Sequence, residues 1–208
     1  MVWVELGRAG LVFADKLTAL GNQTSGNEKE QINQLRTTIL QEVGQAFQKA
    51  ADLKPDYAPA HFMLAQAALR QGNAQSAIKS AENAKLSAPF DIGIAFQLGL
   101  LYYQSNDLNR ARVEFERAVS ISGNYSNARY FLGLIYDRQG NQAKATEQFE
   151  KVLELNPDNT EVRKILSNLQ NNRDALAGIA PPGAPPEKRN IAPVEEKDEA
   201  VKPRARRR

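Results

Sequence analysis

Along most of the chain apolar side chains return every three or four residues, in runs separated by short polar or glycine-containing pairs, the spacing of amphipathic helices. The runs also repeat. Shifting the chain against itself by 34 residues aligns Leu64, Leu98 and Leu132, each followed by a small residue: Ala65, Gly99 and Gly133. Ala68, Tyr102 and Tyr136 align next, then Gly72-Asn73, Asn106-Asp107 and Gly140-Asn141, pairs whose residues favour turns. Beyond them Ala77, Ala111 and Ala145 coincide, then Ala81, Phe115 and Phe149, and then Ala84, Ala118 and Val152; Pro89, Gly123 and Pro157 close each unit. Each unit reads as two helices joined by a tight turn, the proline breaking the second helix and setting the start of the next unit. The small residue lets the second helix cross close to the first, and the larger rings fill the space between pairs.

This arrangement resembles the tetratricopeptide repeat family, with its tryptophan, leucine-glycine and tyrosine in the first helix, then alanine and a ring in the second, then proline. The departures are His61, Ala95 and Arg129 at the tryptophan position and Ala81 where a ring is expected. The resemblance implies an all-α, right-handed superhelix of antiparallel helix pairs, with repeats at 58–91, 92–125 and 126–159.

Upstream, Val43, Phe47, Ala50 and Pro55 fit the second-helix pattern and Trp3 to Gly7 fit the opening of a first helix, with 24 extra residues between them. The segment 1–57 is therefore expected to be an altered repeat, a tall hairpin of helices at about 1–20 and 28–54 around the loop Gly21–Asn27. That loop is glycine-rich but lacks the lysine and spacing of a phosphate loop. Downstream, Val162, Ile165, Leu166 and Leu169 form one apolar stripe behind a capping Asn159 or Thr160, so 160–177 reads as a capping helix with Lys164, Asn168 and Asn171 on its polar face. The first helix is apolar nearly all round, and Trp3 and Leu6 are expected to lie on a bare face that invites self-association or a preceding segment.

Charge and composition narrow the chemistry. The formal net charge is +3, but eight Lys or Arg and five Asp or Glu fall in 178–208, which leaves nineteen of each sign in a neutral body. Six of the ten prolines also lie in 178–208, with no aromatic residue, so this stretch is expected to be a disordered, basic tail. Its terminal arginines offer a contact to nucleic acid or anionic membrane, without the interleaved aromatics of a base-stacking surface. There is no cysteine and one histidine, which leaves no thiolate chemistry and little for imidazole catalysis or metal binding. No catalytic, cofactor-binding or metal-ligating set stands out, and His61 is expected to pack between helices. Neither a secretory signal nor a membrane-spanning run is present, so the chain as written is expected to be cytoplasmic. Arrays with Pro-rich basic tails also follow the membrane segments of some bacterial O-antigen-ligase-like proteins, a resemblance that implies membrane association if the chain is a fragment.

The family resemblance further implies a concave groove lined by the first helices. Mapped onto this sequence it comprises Phe62, Met63, Gln66, Leu69 and Arg70, then Phe96, Gln97, Leu100, Tyr103 and Gln104, then Asn127, Tyr130, Phe131, Leu134, Asp137 and Arg138. Chaperone-binding members carry a clamp of Lys, Asn and Arg there; Phe62, Gln66, Gln97, Asn127 and Phe131 stand at those places, so a chaperone C-terminal carboxylate is not the expected ligand. The expected function is a protein-interaction scaffold that takes an apolar peptide or helix, with Tyr130, Phe131 and Phe96 as anchors.

Overall fold

The turn pairs decide where helices start and stop. In a computed structural model, which describes residues 2–179, Gly72 and Gly140 adopt φ of +77° and +73°, and Asn106 takes their place with φ of 59°. This left-handed conformation ends one helix, and asparagine tolerates it better than most side chains. The next residue starts the following helix: Asn73, Asp107 and Asn141 accept the backbone N–H of Ser76, Arg110 and Lys144 at 3.0, 3.0 and 3.2 Å. One dipeptide thus supplies both a C-terminal stop and an N-cap.

Nine helices and no strand occur among the described residues. They are α1 Val2–Gly21, α2 Gly26–Leu53, α3 Ala58–Arg70, α4 Ala74–Ser87, α5 Ile92–Gln104, α6 Leu108–Ile121, α7 Ser126–Arg138, α8 Gln142–Leu155 and α9 Thr160–Gln170. The chain divides between Asn106 and Asp107 into two compact units, α1 to α5 in the first and α6 to α9 in the second.

In the first unit α1 and α2 form a long antiparallel hairpin. At its base Gly7 lies under the Phe47 ring so closely that an added Cβ would sit 2.5 Å from it, and Gly10 is covered as tightly by Val43. Around them Val4, Leu11, Leu40, Val43 and Phe47 form a core with Ala60 and Ala67 of α3. Asp15 accepts both Nε and Nη2 of Arg70 at 2.9 and 3.0 Å, which fastens α1 to the end of α3. The α3–α4 pair is built on alanine: Ala60, Ala67, Ala77, Ala81 and Ala84 have no exposed surface at all.

In the second unit the same register is filled by rings. Phe149 of α8 covers Gly133 of α7, where an added Cβ would be 2.6 Å from the ring. Phe115 of α6 stacks on Phe131 at 5.3 Å, and Tyr130 stands edge-on to Phe131 and Phe149. The cap α9 buries Val162, Ile165, Leu166 and Leu169.

One expectation for α9 is corrected. Asn168 is buried, not solvated, and its amide donates to the carbonyls of Ala175 and Ala177 at 2.9 and 2.8 Å. The helix ends at Gln170 and the chain folds back, so that Ala175 is wholly buried and its N–H reaches Asp137 of α7 at 2.9 Å. A buried amide with both N–H groups aimed at backbone carbonyls holds this return in place. Residues 180–208, including nearly all of the proline-rich basic stretch and its arginines, lie outside the described residues.

Candidate binding surfaces

The first-helix faces differ between the two units. On α3, Phe62, Met63, Gln66, Leu69 and Arg70 are half-buried, as are Phe96, Gln97 and Leu100 on α5; Tyr103 is buried and Gln104 is exposed. Phe62 packs on Ala58, Ala84 and Ile94, while Met63 lies against the core of the α1–α2 hairpin. The Arg70 guanidinium is committed to Asp15. On α7, Asn127, Tyr130, Phe131 and Leu134 are at most 3% exposed, Asp137 is half-buried and Arg138 is exposed. The Tyr130 hydroxyl donates to Glu161 of α9 at 2.5 Å, so this ring is fixed from both ends. Tyr130 and Phe131 therefore serve as packing on α7. Helical periodicity placed them on a common face without showing what covers it.

On another side of the helices a second set of contacts recurs in the repeat register, skipping the position held by Ala95. At the tryptophan position of the repeat, His61 Nε2 lies 2.8 Å from the Pro55 carbonyl, Arg129 Nε donates to Gly123 O at 2.8 Å, and Arg163 bonds to Pro157 O. Each tethers a first helix to the turn six residues before it. His61 is half-buried there.

One helical turn further on, the aligned tyrosines reach the preceding second helix. Tyr102 of α5 donates its hydroxyl to Glu82 of α4, within the first unit, and Tyr136 of α7 donates to Glu116 of α6 at 2.9 Å, within the second. Arg112 pairs with Glu116 at 2.8 Å and Lys144 sits 5.4 Å above the Tyr136 ring. Burial, followed by the bond to Glu116, pushes the Tyr136 phenol above its ordinary range, and the hydrogen bond to Glu116 raises Arg112. At the equivalent places in the second repeat stand Ala68 and Gln48, and there a cleft of about 460 Å3 opens between α2 and α4 over α3. The aligned sequences already carried this signal, in Ala68 against two tyrosines and Gln48 against two glutamates.

Comparison with known proteins fits this geometry. Three tetratricopeptide repeat models match residues 45–91, 92–125 and 126–159, together more than half of the chain. The chain belongs to the tetratricopeptide repeat family. Its fold is similar to that of a tetratricopeptide repeat protein from Parabacteroides merdae ATCC 43184, with a TM-score of 0.65 and 21% identity over 85% of this chain and 63% of that one. YrrB, described as a TPR protein with an unusual peptide-binding site, gives 0.57 and 18% identity over 80% and 89%. The first TPR of Spaghetti (RPAP3), solved bound to an HSP90 peptide, gives 0.52 and 20% identity over 55% and 91%. No curated protein matches the chain.

The α1–α2 hairpin lies mostly upstream of the matched repeats, and its outer face differs in part from expectation. Trp3 is half-covered, packed against the α1–α2 core with the Lys49 ammonium 4.4 Å above its ring. It faces the end of α2 and Tyr57, beside a small apolar pocket of about 130 Å3. Leu6 is exposed as expected, in a stripe with Val2, Phe13 and Leu20 and with Val12 at its edge, on the side of α1 away from its buried residues. Among the described residues no helix is long and apolar enough to cross a membrane, and no cluster of His, Asp and Glu is arranged to hold a metal.

Proposed function

We propose that the chain is a protein-interaction scaffold whose α3 and α5 faces take an apolar peptide or amphipathic helix. The observation that carries this reading is the half-open strip of Phe62, Met63, Phe96 and Leu100, with the Gln66 and Gln97 amides beside it. Apolar side chains supply the area a ligand buries, and the amides supply hydrogen bonds to its backbone. The α7 residues Asn127, Tyr130, Phe131 and Leu134 shape and stiffen their own helix, and Arg70, held by Asp15, marks the polar edge of the α3 face. The HSP90 peptide bound by RPAP3 and the peptide-binding site of YrrB support a peptide as the kind of partner. The test is fluorescence anisotropy of a labelled amphipathic Leu/Lys peptide against the full chain. Phe96→Ser is expected to weaken binding by about tenfold or more at unchanged helical content; equal affinity in a folded variant would count against the strip.

A second contact is favoured by the α1 stripe. Val2, Leu6, Phe13 and Leu20 stand exposed along one face of α1, and a second copy of this chain, which carries the same apolar stripe, is the proposed occupant. Sedimentation of the wild-type chain is expected to show a dimer that Phe13→Glu disperses, because a charge in the seam must be desolvated. A wild-type monomer at millimolar concentration would rule the contact out.

A further inference from the structure

The third and fourth repeats each close the gap beside the preceding second helix with a tyrosine whose hydroxyl ends on a glutamate: Tyr102 on Glu82, and Tyr136 on Glu116. The second repeat has neither member, and the space stands open between α2 and α4. We propose that this cleft binds a phenolic side chain supplied by another chain, a tyrosine occupying the place the repeat leaves empty.

The lining suits that occupant. Leu64 and Ala68 form an apolar floor, at the level where the other repeats carry their leucine and tyrosine. Gln48 stands in the register of Glu82 and Glu116; its Nε2 donates to Asp52 at 2.8 Å, while its carbonyl oxygen has no partner among the described residues and is available to accept a phenol O–H. The Nδ1 of His61, which also lines the cleft, is buried and makes no hydrogen bond. With Nε2 donating to the Pro55 carbonyl, that nitrogen presents a lone pair, a second unmet acceptor at the same place. No carboxylate lines the cleft. Its one charge is Lys79, which has no ion-pair partner among the described residues, so neutral or acidic residues are favoured beside the incoming tyrosine. A cleft of about 460 Å3 admits one aromatic ring together with the backbone that bears it. His61, Leu64 and Ala68 lie on the side of α3 away from Phe62 and Gln66, so this site is separate from the proposed peptide strip and each can fail without the other.

The experiment is an NMR titration of the full chain with N-acetyl-L-tyrosinamide, with N-acetyl-L-alaninamide as control. Backbone amides near Gln48, Leu64, Ala68 and Ser80 are expected to shift with the tyrosine probe alone. Ala68→Tyr, which supplies the ring from within, is expected to abolish those shifts and raise Tm. Gln48→Glu, which restores the carboxylate partner of the other repeats, is expected to tighten the probe by about tenfold, the strength a charged acceptor adds over a neutral one. Absence of shifts in α2 to α4, or the same shifts in folded Ala68→Tyr, would overturn the proposal. Should Ala68→Tyr fail to fold, Gln48→Glu decides alone, and unchanged affinity overturns it.

Discussion

The second and fourth repeats place their helices by the same register and fill them in opposite ways. In 126–159 the contact between helices is made by Phe149 on Gly133 and by Tyr130 and Phe131, each ring immobilised by another ring or a carboxylate. In 58–91 Ala65, Ala77, Ala81 and Ala84 do the same work with methyl groups, and the one large residue at the tryptophan position is a histidine tied to the chain upstream. A ring on a glycine and an alanine on an alanine both let two helices approach closely. Their difference lies in what remains between neighbouring pairs: a filled layer in one case, a cleft in the other.

That contrast breaks most readily at the rings. Phe131→Ala or Phe149→Ala is expected to cost about 3–5 kcal/mol, because a buried ring leaves a cavity that its neighbours only partly fill. An alanine change in the second repeat is not available as a counterpart, so the sharper comparison is Ala81→Phe. If the second repeat is as tightly closed at that position as the zero exposure of Ala81 implies, the larger ring is expected to destabilise rather than repair it. Urea unfolding of the three variants distinguishes the cases, and a stabilised Ala81→Phe would show slack in the alanine pair. Next in size, Gly133→Ala drives a Cβ into the Phe149 ring and is expected to cost about 1–3 kcal/mol.

Much of this was legible in the sequence, and the physical reason is periodicity. The 34-residue register carries the helix pairs, the small-residue crossings and the turns, since each depends on side-chain size or backbone freedom at one position. It carries accessibility less well. Tyr130 and Phe131 share the face of Phe62 and Met63 by position, yet their exposure is set by Phe115, Phe149 and Glu161, residues distant in sequence. Asn168 stands by position on the polar face of a helix expected to run to 177; its partners are backbone carbonyls of the loop that returns after Gln170, which leave no side-chain signature. Trp3 matched its place in the repeat, but which way it turned depended on Lys49 and Tyr57 across the hairpin.

Smaller effects test the shared turn. Asn141→Ala and Asp107→Ala each remove an N-cap and are expected to cost about 1 kcal/mol. The two caps differ in charge, and this gives a pH signature. The backbone N–H of Arg110, followed by its side chain, holds the Asp107 carboxyl below its ordinary value. A lowered carboxyl contributes stability that is present above its unfolded pKa and fades as pH falls through the folded one. Asp107→Asn, which copies the caps at 73 and 141, is expected to keep the helix start and lose that acid dependence; thermal melts between pH 6 and 2 measure it.

The long hairpin of α1 and α2 keeps at its foot the same ring-on-glycine joint, Phe47 on Gly7, that closes the compact fourth repeat with Phe149 on Gly133. Its added length is spliced in beyond that joint, toward the loop. Part of that length still binds α3, through Asp15 on the Arg70 guanidinium and Arg36 on the Arg70 carbonyl, so the hairpin is extensible only beyond those contacts, where turns gained or lost leave the joint untouched. The tip around residues 22–25 is the natural place for lineages to vary the protein's reach, and for an engineer to graft a foreign segment without recasting the array.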